Sequence, residues 1–167
     1  MLTQIIDGLW IGDIEECPIE GTPNDGAPLW IGILHACKAP CHQRYVGYKG
    51  SLPPTHREYL WADGDADLYL NLIDPPVPLF KRESFDKALD WLDKRLPLGP
   101  VLVHCNQGLS RAPSIALLWL AKRTDVLALD RGSFTAARQA FTETYCKDYA
   151  PGQGLVTFLT EQWGEIR

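Results

Sequence analysis

The chain lacks any long hydrophobic run. Its longest uninterrupted apolar segment, Ile115–Ala121, is far shorter than the ~18 residues that a transmembrane helix needs. The N-terminal residues MLTQIIDGLW also lack the basic segment followed by an apolar stretch that marks a secretory signal peptide. These two absences predict a cytoplasmic protein that has no membrane partner.

Positive charge is also scarce. The 167 residues include 16 Lys and Arg against 21 Asp and Glu, which gives a formal net charge of −5. Because nucleic acids recruit proteins through basic surfaces, this balance argues against a nucleic-acid partner. No internal repeat and no long linker divides the sequence, and its length suits one domain. We therefore expect a single, monomeric domain over residues 1–167.

Cysteines are few, and their number is odd. A chain of this length can bury a sufficient core without cross-links, and an odd count leaves at least one thiol unpaired. Both features favour free thiols in a reducing compartment over a disulfide framework. The five candidates for a reactive thiol are Cys17, Cys37, Cys41, Cys105 and Cys146.

The order of strand-like and helix-like patterns predicts an α/β fold with a central, mostly parallel sheet flanked by helices. Residues 17–28 are rich in Pro and Gly and are expected to form a loop, and residues 36–58 carry no assignable pattern. The predicted strands are 5–12 (two strands joined by a turn at Asp7-Gly8), 29–35, 68–73 and 101–104, and the predicted helices are 84–96, 114–122, 133–145 and 155–163.

The most informative segment joins the strand 101–104 to a helix that begins near Arg111. The residues between them must form a tight loop whose backbone N–H groups point inward at the helix N-terminus, and Gly108 permits the backbone angles of that turn. Such a loop binds anions, and Arg111 can hold two phosphate oxygens with its planar guanidinium. The helix dipole and Arg111 favour the thiolate form of Cys105, so a bound phosphate would face a nucleophile.

A structural cysteine at the end of a core strand would explain Cys105 alone. It does not explain a histidine before it and Gly108, Ser110 and Arg111 after it, between a strand and a helix. This signature, His104-Cys105-x-x-Gly108-x-Ser110-Arg111, resembles that of the cysteine-based protein tyrosine phosphatases, specifically the compact dual-specificity phosphatases.

The resemblance extends beyond the signature. Ile5–Gly12 looks like the opening strands of that family. Pro151–Leu155, followed by a helix, looks like its C-terminal segment, although Gly152 stands where the family often has Asn. Residues 14–58 have no counterpart in the resemblance.

The resemblance implies hydrolysis of a phosphate monoester through a phosphocysteine intermediate, with no metal and no cofactor. Cys105 would attack the phosphorus, Ser110 would donate a hydrogen bond to the departing Cys105 thiolate, and the buried His104 would orient the loop. The phosphate would be held by the loop residues Asn106, Gln107, Gly108, Leu109, Ser110 and Arg111.

This chemistry also needs an acid for the leaving oxygen, and the family supplies an aspartate on a mobile loop upstream of the cysteine. The candidates are Asp63, Asp65, Asp67 and Asp74. Asp74 lies 31 positions before Cys105 and follows a predicted strand, whereas Asp63 lies 42 positions before it and precedes that strand. We therefore assign the acid to Asp74; the alternative is an aspartate that only bonds its own loop backbone.

The implied substrate is a phosphorylated protein or peptide, with phosphotyrosine first and phosphoserine or phosphothreonine as further possibilities. Relatives that act on phosphoinositides or RNA 5′ ends tend to carry lysines in the loop, where this chain has Asn106, Gln107 and Leu109. Phosphoprotein-binding relatives without activity usually lose the Cys or the Arg. Rhodaneses and arsenate reductases also use a cysteine in an anion-binding loop, but the order of strands and helices in this chain fits them less well.

Four zinc-type ligands lie within eight residues: His35, Cys37, Cys41 and His42. All of them belong to one short segment that contains Pro40, with no second pair at a zinc-finger spacing. The sequence therefore predicts no metal site here and favours packing and loop structure. A redox partnership of Cys37 or Cys41 with Cys105 is a further alternative.

Overall fold

A computed structural model describes residues 1–19, 21, 25–125 and 132–167. Within these residues, six strands form one sheet in the order β1-β2-β6-β3-β5-β4. Strands β2, β6, β3 and β5 are parallel, and the edge strands β1 and β4 are antiparallel to their neighbours. The strands are β1 (Leu2–Ile6), β2 (Leu9–Gly12), β3 (Gly32–His35), β4 (Trp61–Asp63), β5 (Leu68–Leu70) and β6 (Val101–His104).

Five α-helices accompany the sheet in the described ranges. They are α1 (Gln43–Val46), α2 (Arg82–Arg95), α3 (Arg111–Arg123), α4 (Phe134–Thr144) and α5 (Gln153–Gln162). Helix α2 buries the apolar stripe that its sequence predicts, and α3 is buried along most of its length. The Ser133 side chain caps α4 by accepting a hydrogen bond from the Ala136 N–H. The predicted α/β fold with a mostly parallel sheet is confirmed.

Side-chain alternation along the strands separates two cores. Leu34 and Val103 belong to the main core, together with buried residues of α2, α3, α4 and α5. Because successive strand residues point to opposite faces, His35 and His104 lie on the other face. There a smaller cluster contains Cys17, Cys37, Cys41, Ala62 and Tyr69. The segments that follow β2 and β3 therefore cover this second face of the sheet.

The structure corrects the bounds of several predicted elements. Strand β3 begins at Gly32, not at residue 29, and Leu29 is 93% exposed. Strand β5 ends at Leu70, three residues before the predicted end. The sequence pattern missed β4 and α1, which have three and four residues and are too short to show a period. No helix in the described ranges is both long enough and apolar enough to cross a bilayer.

Helix α2 offers a test of the main core. Leu89 is fully buried, whereas Leu29 is 93% exposed. We expect Leu89→Ala to lower the free energy of unfolding by about 2–5 kcal/mol, because it removes buried methyl groups and leaves a cavity. The same change at Leu29 should stay within about 0.5 kcal/mol. Urea denaturation of both variants measures the difference, and equal losses would contradict this description of the core.

Candidate active site

The candidate site lies at the carboxyl edge of the four parallel strands. Strand β6 ends at His104 and leads directly into the signature loop, residues 105–110. The segments that follow β2, β3 and β5 leave the sheet at the same edge. In parallel sheets this edge is where ligands bind, because loops from several strands converge there.

The backbone of the signature loop is held from outside by its carbonyl groups. The Ile14 N–H donates to the Asn106 carbonyl at 3.2 Å, and the Ala150 N–H donates to the Leu109 carbonyl at 2.8 Å. In the described part of the chain, the N–H groups of residues 106–110 donate no hydrogen bond. With two of its carbonyls bonded to outside segments, its N–H groups unpaired in the described residues and the N-terminus of α3 behind it, the loop has the geometry of an anion cradle.

Arg111 is the first residue of α3, and its side chain is only 8% exposed. Its Nη1 donates to the Leu72 carbonyl at 2.9 Å, and its Nη2 donates to Asn106 Oδ1 at 2.7 Å. The Asn106 side-chain amide in turn donates to the Ala39 carbonyl at 3.0 Å. These bonds fix the plane of the guanidinium, while Arg111 Nε is buried without a partner among the described residues.

The three other signature residues that carry side chains, Cys105, Ser110 and His104, are buried around the base of the loop. Cys105 is 1% exposed, and its N–H donates to the Gly12 carbonyl at 3.3 Å. Ser110 Oγ accepts a hydrogen bond from the Gly152 N–H at 3.1 Å, so its own hydrogen is free to be donated elsewhere. His104 is completely buried, as the sequence predicts.

The aspartate candidates occupy different places. Asp74 is exposed on the loop after β5, and its carboxylate lies against Gly152, where a Cβ atom would overlap with it. The Gly152 N–H also donates to Ser110 Oγ, so Gly152 lies between the Asp74 carboxylate and the signature loop. Asp63 lies on β4, three strands from β6, and its carboxylate pairs with Lys87 at 2.7 Å. Asp67 accepts a hydrogen bond from the Ile33 N–H at 2.8 Å.

A second set of reactive side chains lies directly beneath the loop, on the far face of the sheet. Cys17, His35, Cys41 and His104 each present a ligand atom, and these four atoms lie within 4.8 Å of one another. Sequence reasoning grouped His35 and Cys41 with His42, but His42 instead contacts the Tyr48 hydroxyl at 2.9 Å. The parallel pairing of His35 with His104 is the signal that would have found the set.

Interactions within this set shift the pKa values of its two thiols in opposite directions. The bond with Cys41, supported by His104 and His35, lowers the pKa of the Cys17 thiol against the effect of burial. The same bond raises the pKa of Cys41, as do the neighbouring Cys37 thiol and burial. Burial lowers the pKa of His35, but the nearby Asp67 carboxylate and the Cys17 thiol outweigh it and raise the value.

A groove of about 410 Å³ opens next to the segment after β5, and no residue of the signature loop lines it. It reaches Leu72, whose carbonyl accepts hydrogen bonds from both Arg111 and the Lys38 N–H. Its lining includes Lys38 and Lys81 and no carboxylate; the other lining residues are Ser51, Leu52, Tyr59, Leu60, Asn71, Leu72, Ile73, Pro78, Leu79, Phe80 and Ser84.

No protein-family model and no curated protein matches the sequence. Solved structures do match the fold. The chain is similar to DUSP15 (19% identity, 98% of this chain and 88% of that one, TM-score 0.62) and to human DUSP28 (15%, 98% and 93%, 0.59). It is also similar to the human tyrosine phosphatase-like serine/threonine/tyrosine-interacting protein (18%, 98% and 95%, 0.61). The chain thus has the fold of the compact dual-specificity phosphatases over nearly its full length, and the predicted resemblance is confirmed at that level.

Gly108 tests how the loop is held. Its φ is +71°, and a Cβ would lie 2.8 Å from Met1 Cε and 3.1 Å from the Gly12 carbonyl oxygen. Gly50 has a similar φ of +74°, but a Cβ there would meet nothing within 4 Å. We expect Gly50→Ala to lower the free energy of unfolding by about 1–2 kcal/mol through backbone strain. Gly108→Ala should lower the free energy of unfolding by about 1–3 kcal/mol more than Gly50→Ala does, because its Cβ also collides with Met1 and Gly12.

Urea denaturation of the two variants measures this difference. An equal loss in both would mean that the approach of Gly108 to Gly12 does not determine the loop conformation.

Proposed function

We propose that the protein is a phosphatase that hydrolyses phosphate monoesters on proteins, phosphotyrosine above all, through a phosphocysteine intermediate. The observation that carries the proposal is the arrangement at the start of α3. There the buried Cys105 begins a loop whose N–H groups at residues 106–110 have no acceptor in the described part of the chain, and the guanidinium of Arg111 is braced by Leu72 and Asn106. A thiol, an anion cradle and a fixed planar cation are what attack at a bound phosphate requires.

In the first step, the Cys105 thiolate attacks phosphorus, so that an S–P bond forms and the P–O bond to the leaving group breaks. Arg111 and the amides of residues 106–110 hold the non-bridging oxygens, whose charge shifts during the transfer. Because these donors are already oriented by their outward bonds, little reorganisation is needed at the moment of reaction. Asp74 gives its proton to the leaving oxygen.

In the second step, Asp74 accepts a proton from water, the water oxygen attacks phosphorus, and the S–P bond breaks. Inorganic phosphate leaves and the Cys105 thiolate is restored. The Ser110 hydroxyl, which accepts from the Gly152 N–H, is free to donate its hydrogen to that thiolate. His104 does not touch the reacting atoms in this scheme and acts as a positioning residue below the loop.

The groove next to the segment after β5, which reaches the site through Leu72, favours a peptide substrate. Two lysines and no carboxylate line it, so acidic residues that flank a phosphorylated side chain would be attracted there. A binding role without turnover is the alternative, because one similar structure belongs to a protein named phosphatase-like. Cys105 and Arg111 together favour catalysis over that role.

Removal of the nucleophile is the first test. Cys105→Ser should lower kcat on a phosphotyrosine peptide at least about a thousandfold, because a serine hydroxyl does not ionise in the cradle as a thiol does. Cys146→Ser makes the same chemical change at a buried thiol outside the signature loop and should keep most of the rate. Initial rates are measured together with thermal unfolding of each variant.

The same assay, run on a panel, separates the substrate classes. The panel contains phosphotyrosine, phosphoserine and phosphothreonine peptides, phosphoinositides and 5′-phosphorylated RNA. Wild-type turnover confined to lipid or RNA would overturn the protein-substrate proposal. Tight peptide binding without wild-type turnover of any substrate would instead support the binding role.

The assignment of the acid is tested by the leaving group. Asp74→Asn should lower kcat on a phenyl or alkyl phosphate by roughly 10²–10⁴, because the leaving oxygen then departs without its proton. The loss should shrink for an activated ester whose leaving group needs no proton. Asp63→Asn, at the carboxylate paired with Lys87, should show neither effect. A leaving-group dependence at Asp63 and not at Asp74 would refute the assignment.

A further inference from the structure

The cluster beneath the signature loop combines residues from four separate places in the chain. His35 and His104 end the neighbouring strands β3 and β6, where their Cα atoms are partners in the register. Cys17 follows the short helical turn after β2, and Cys41 lies in the segment after β3. All four side chains are completely buried. The fold thus places two thiols and two imidazoles at one point that no solvent reaches.

The spacing of their ligand atoms suits a single tetrahedral ion. Zn–S bonds of about 2.3 Å and Zn–N bonds of about 2.0–2.1 Å give tetrahedral edges of about 3.8 Å (S–S), 3.6 Å (S–N) and 3.3 Å (N–N). The observed separations are 3.9 Å for Cys17 Sγ to Cys41 Sγ and 3.6 Å for Cys17 Sγ to His35 Nδ1. The Cys41 Sγ to His104 Nε2 separation is 3.9 Å. The two ring nitrogens, 2.7 Å apart, would have to separate, and the remaining two S–N distances are at most 4.8 Å.

The surroundings of His35 supply the outer contact that such a site needs. Its Nδ1 faces the cluster, and its Nε2 lies 3.7 Å from Asp67 Oδ2. A carboxylate behind the second ring nitrogen is the usual device that orients a metal-binding histidine. The Tyr69 ring stacks on the imidazole at 4.3 Å between centroids and fixes its plane. The orientation of His35 is therefore already that of a ligand.

We propose that Cys17, His35, Cys41 and His104 bind one zinc ion that holds the signature loop in place from below. Two thiolates balance the charge of the ion, so the loaded site is neutral and suits a fully buried position. Cys17 and Cys41 each release one proton on binding, and no electron is transferred. The four ligand atoms lie too close together to surround a cluster of two irons.

The proposed ion goes beyond the phosphatase chemistry, which does not use it. Three of the four ligands belong to residues 14–58, the part of the chain that the family signature does not explain. The fourth, His104, is the residue before Cys105. The ion therefore joins the segments after β2 and β3 to the start of the signature loop. This departs from the sequence-based expectation of no metal, which considered only ligands close together in the chain.

Metal content of the full-length protein is the primary test, and it does not depend on activity. Protein purified from zinc-supplemented medium should contain about one zinc per chain, as measured by plasma mass spectrometry. Cys17→Ser and Cys41→Ser should each lower the zinc content at least tenfold. Cys37→Ser and Cys105→Ser are matched controls at neighbouring thiols and should keep it. Loss of zinc from Cys105→Ser but not from Cys17→Ser would place the ion on the candidate nucleophile and overturn the proposal.

Two measurements keep the proposal testable if the ligand variants do not fold. In the wild-type protein, Co²⁺ should give thiolate charge-transfer bands and tetrahedral d–d bands, and Cys17 and Cys41 should resist alkylation until a chelator and denaturant are added. Asp67→Asn keeps an oxygen for the Ile33 N–H but loses the carboxylate behind His35, and should weaken zinc binding about 10–100-fold. A wild-type protein without metal, with free thiols or with a Cys17–Cys41 disulfide, would refute the proposal.

Discussion

The parallel register of β3 and β6 is the constraint on which the rest of the site depends. It pairs His35 with His104, and strand alternation places both imidazoles on the face opposite the helical core. The same register brings the segments after the two strands to one edge. The side chains beneath the signature loop are therefore polar and could bind a metal, although β3 and β6 are among the most apolar strands in the chain.

The loop is preorganised by distant parts of the chain. Its carbonyls accept hydrogen bonds from Ile14 on one side and Ala150 on the other, and these two residues are far apart in sequence. Arg111 is braced in the same way by Leu72 and Asn106. In the reaction proposed above, donors that are oriented before the substrate arrives need not reorganise as charge develops on phosphorus. Folding of the whole domain orients these donors before any substrate binds.

Local patterns were sufficient to predict the fold class and the signature loop. The loop is contiguous in sequence, and a strand, a glycine with positive φ and a buried helix each leave a local pattern. The cluster beneath it leaves no such pattern, because its four residues come from separate parts of the chain that meet only in the folded sheet. Strand β4 was missed because three residues cannot show a period. Proximity in sequence also grouped His42 with ligands from which the fold separates it.

The stretch from Lys38 to Cys41 links three parts of the site. The Lys38 N–H shares the Leu72 carbonyl with Arg111, and the Ala39 carbonyl holds the Asn106 side chain. Cys41 belongs to the buried cluster, and the Lys38 side chain lines the groove. A displacement of this stretch must therefore alter the bracing of Arg111. Because coupling between sites is reciprocal, any effect of an ion at Cys41 on anion binding at Arg111 would equal the effect of the anion on binding of the ion.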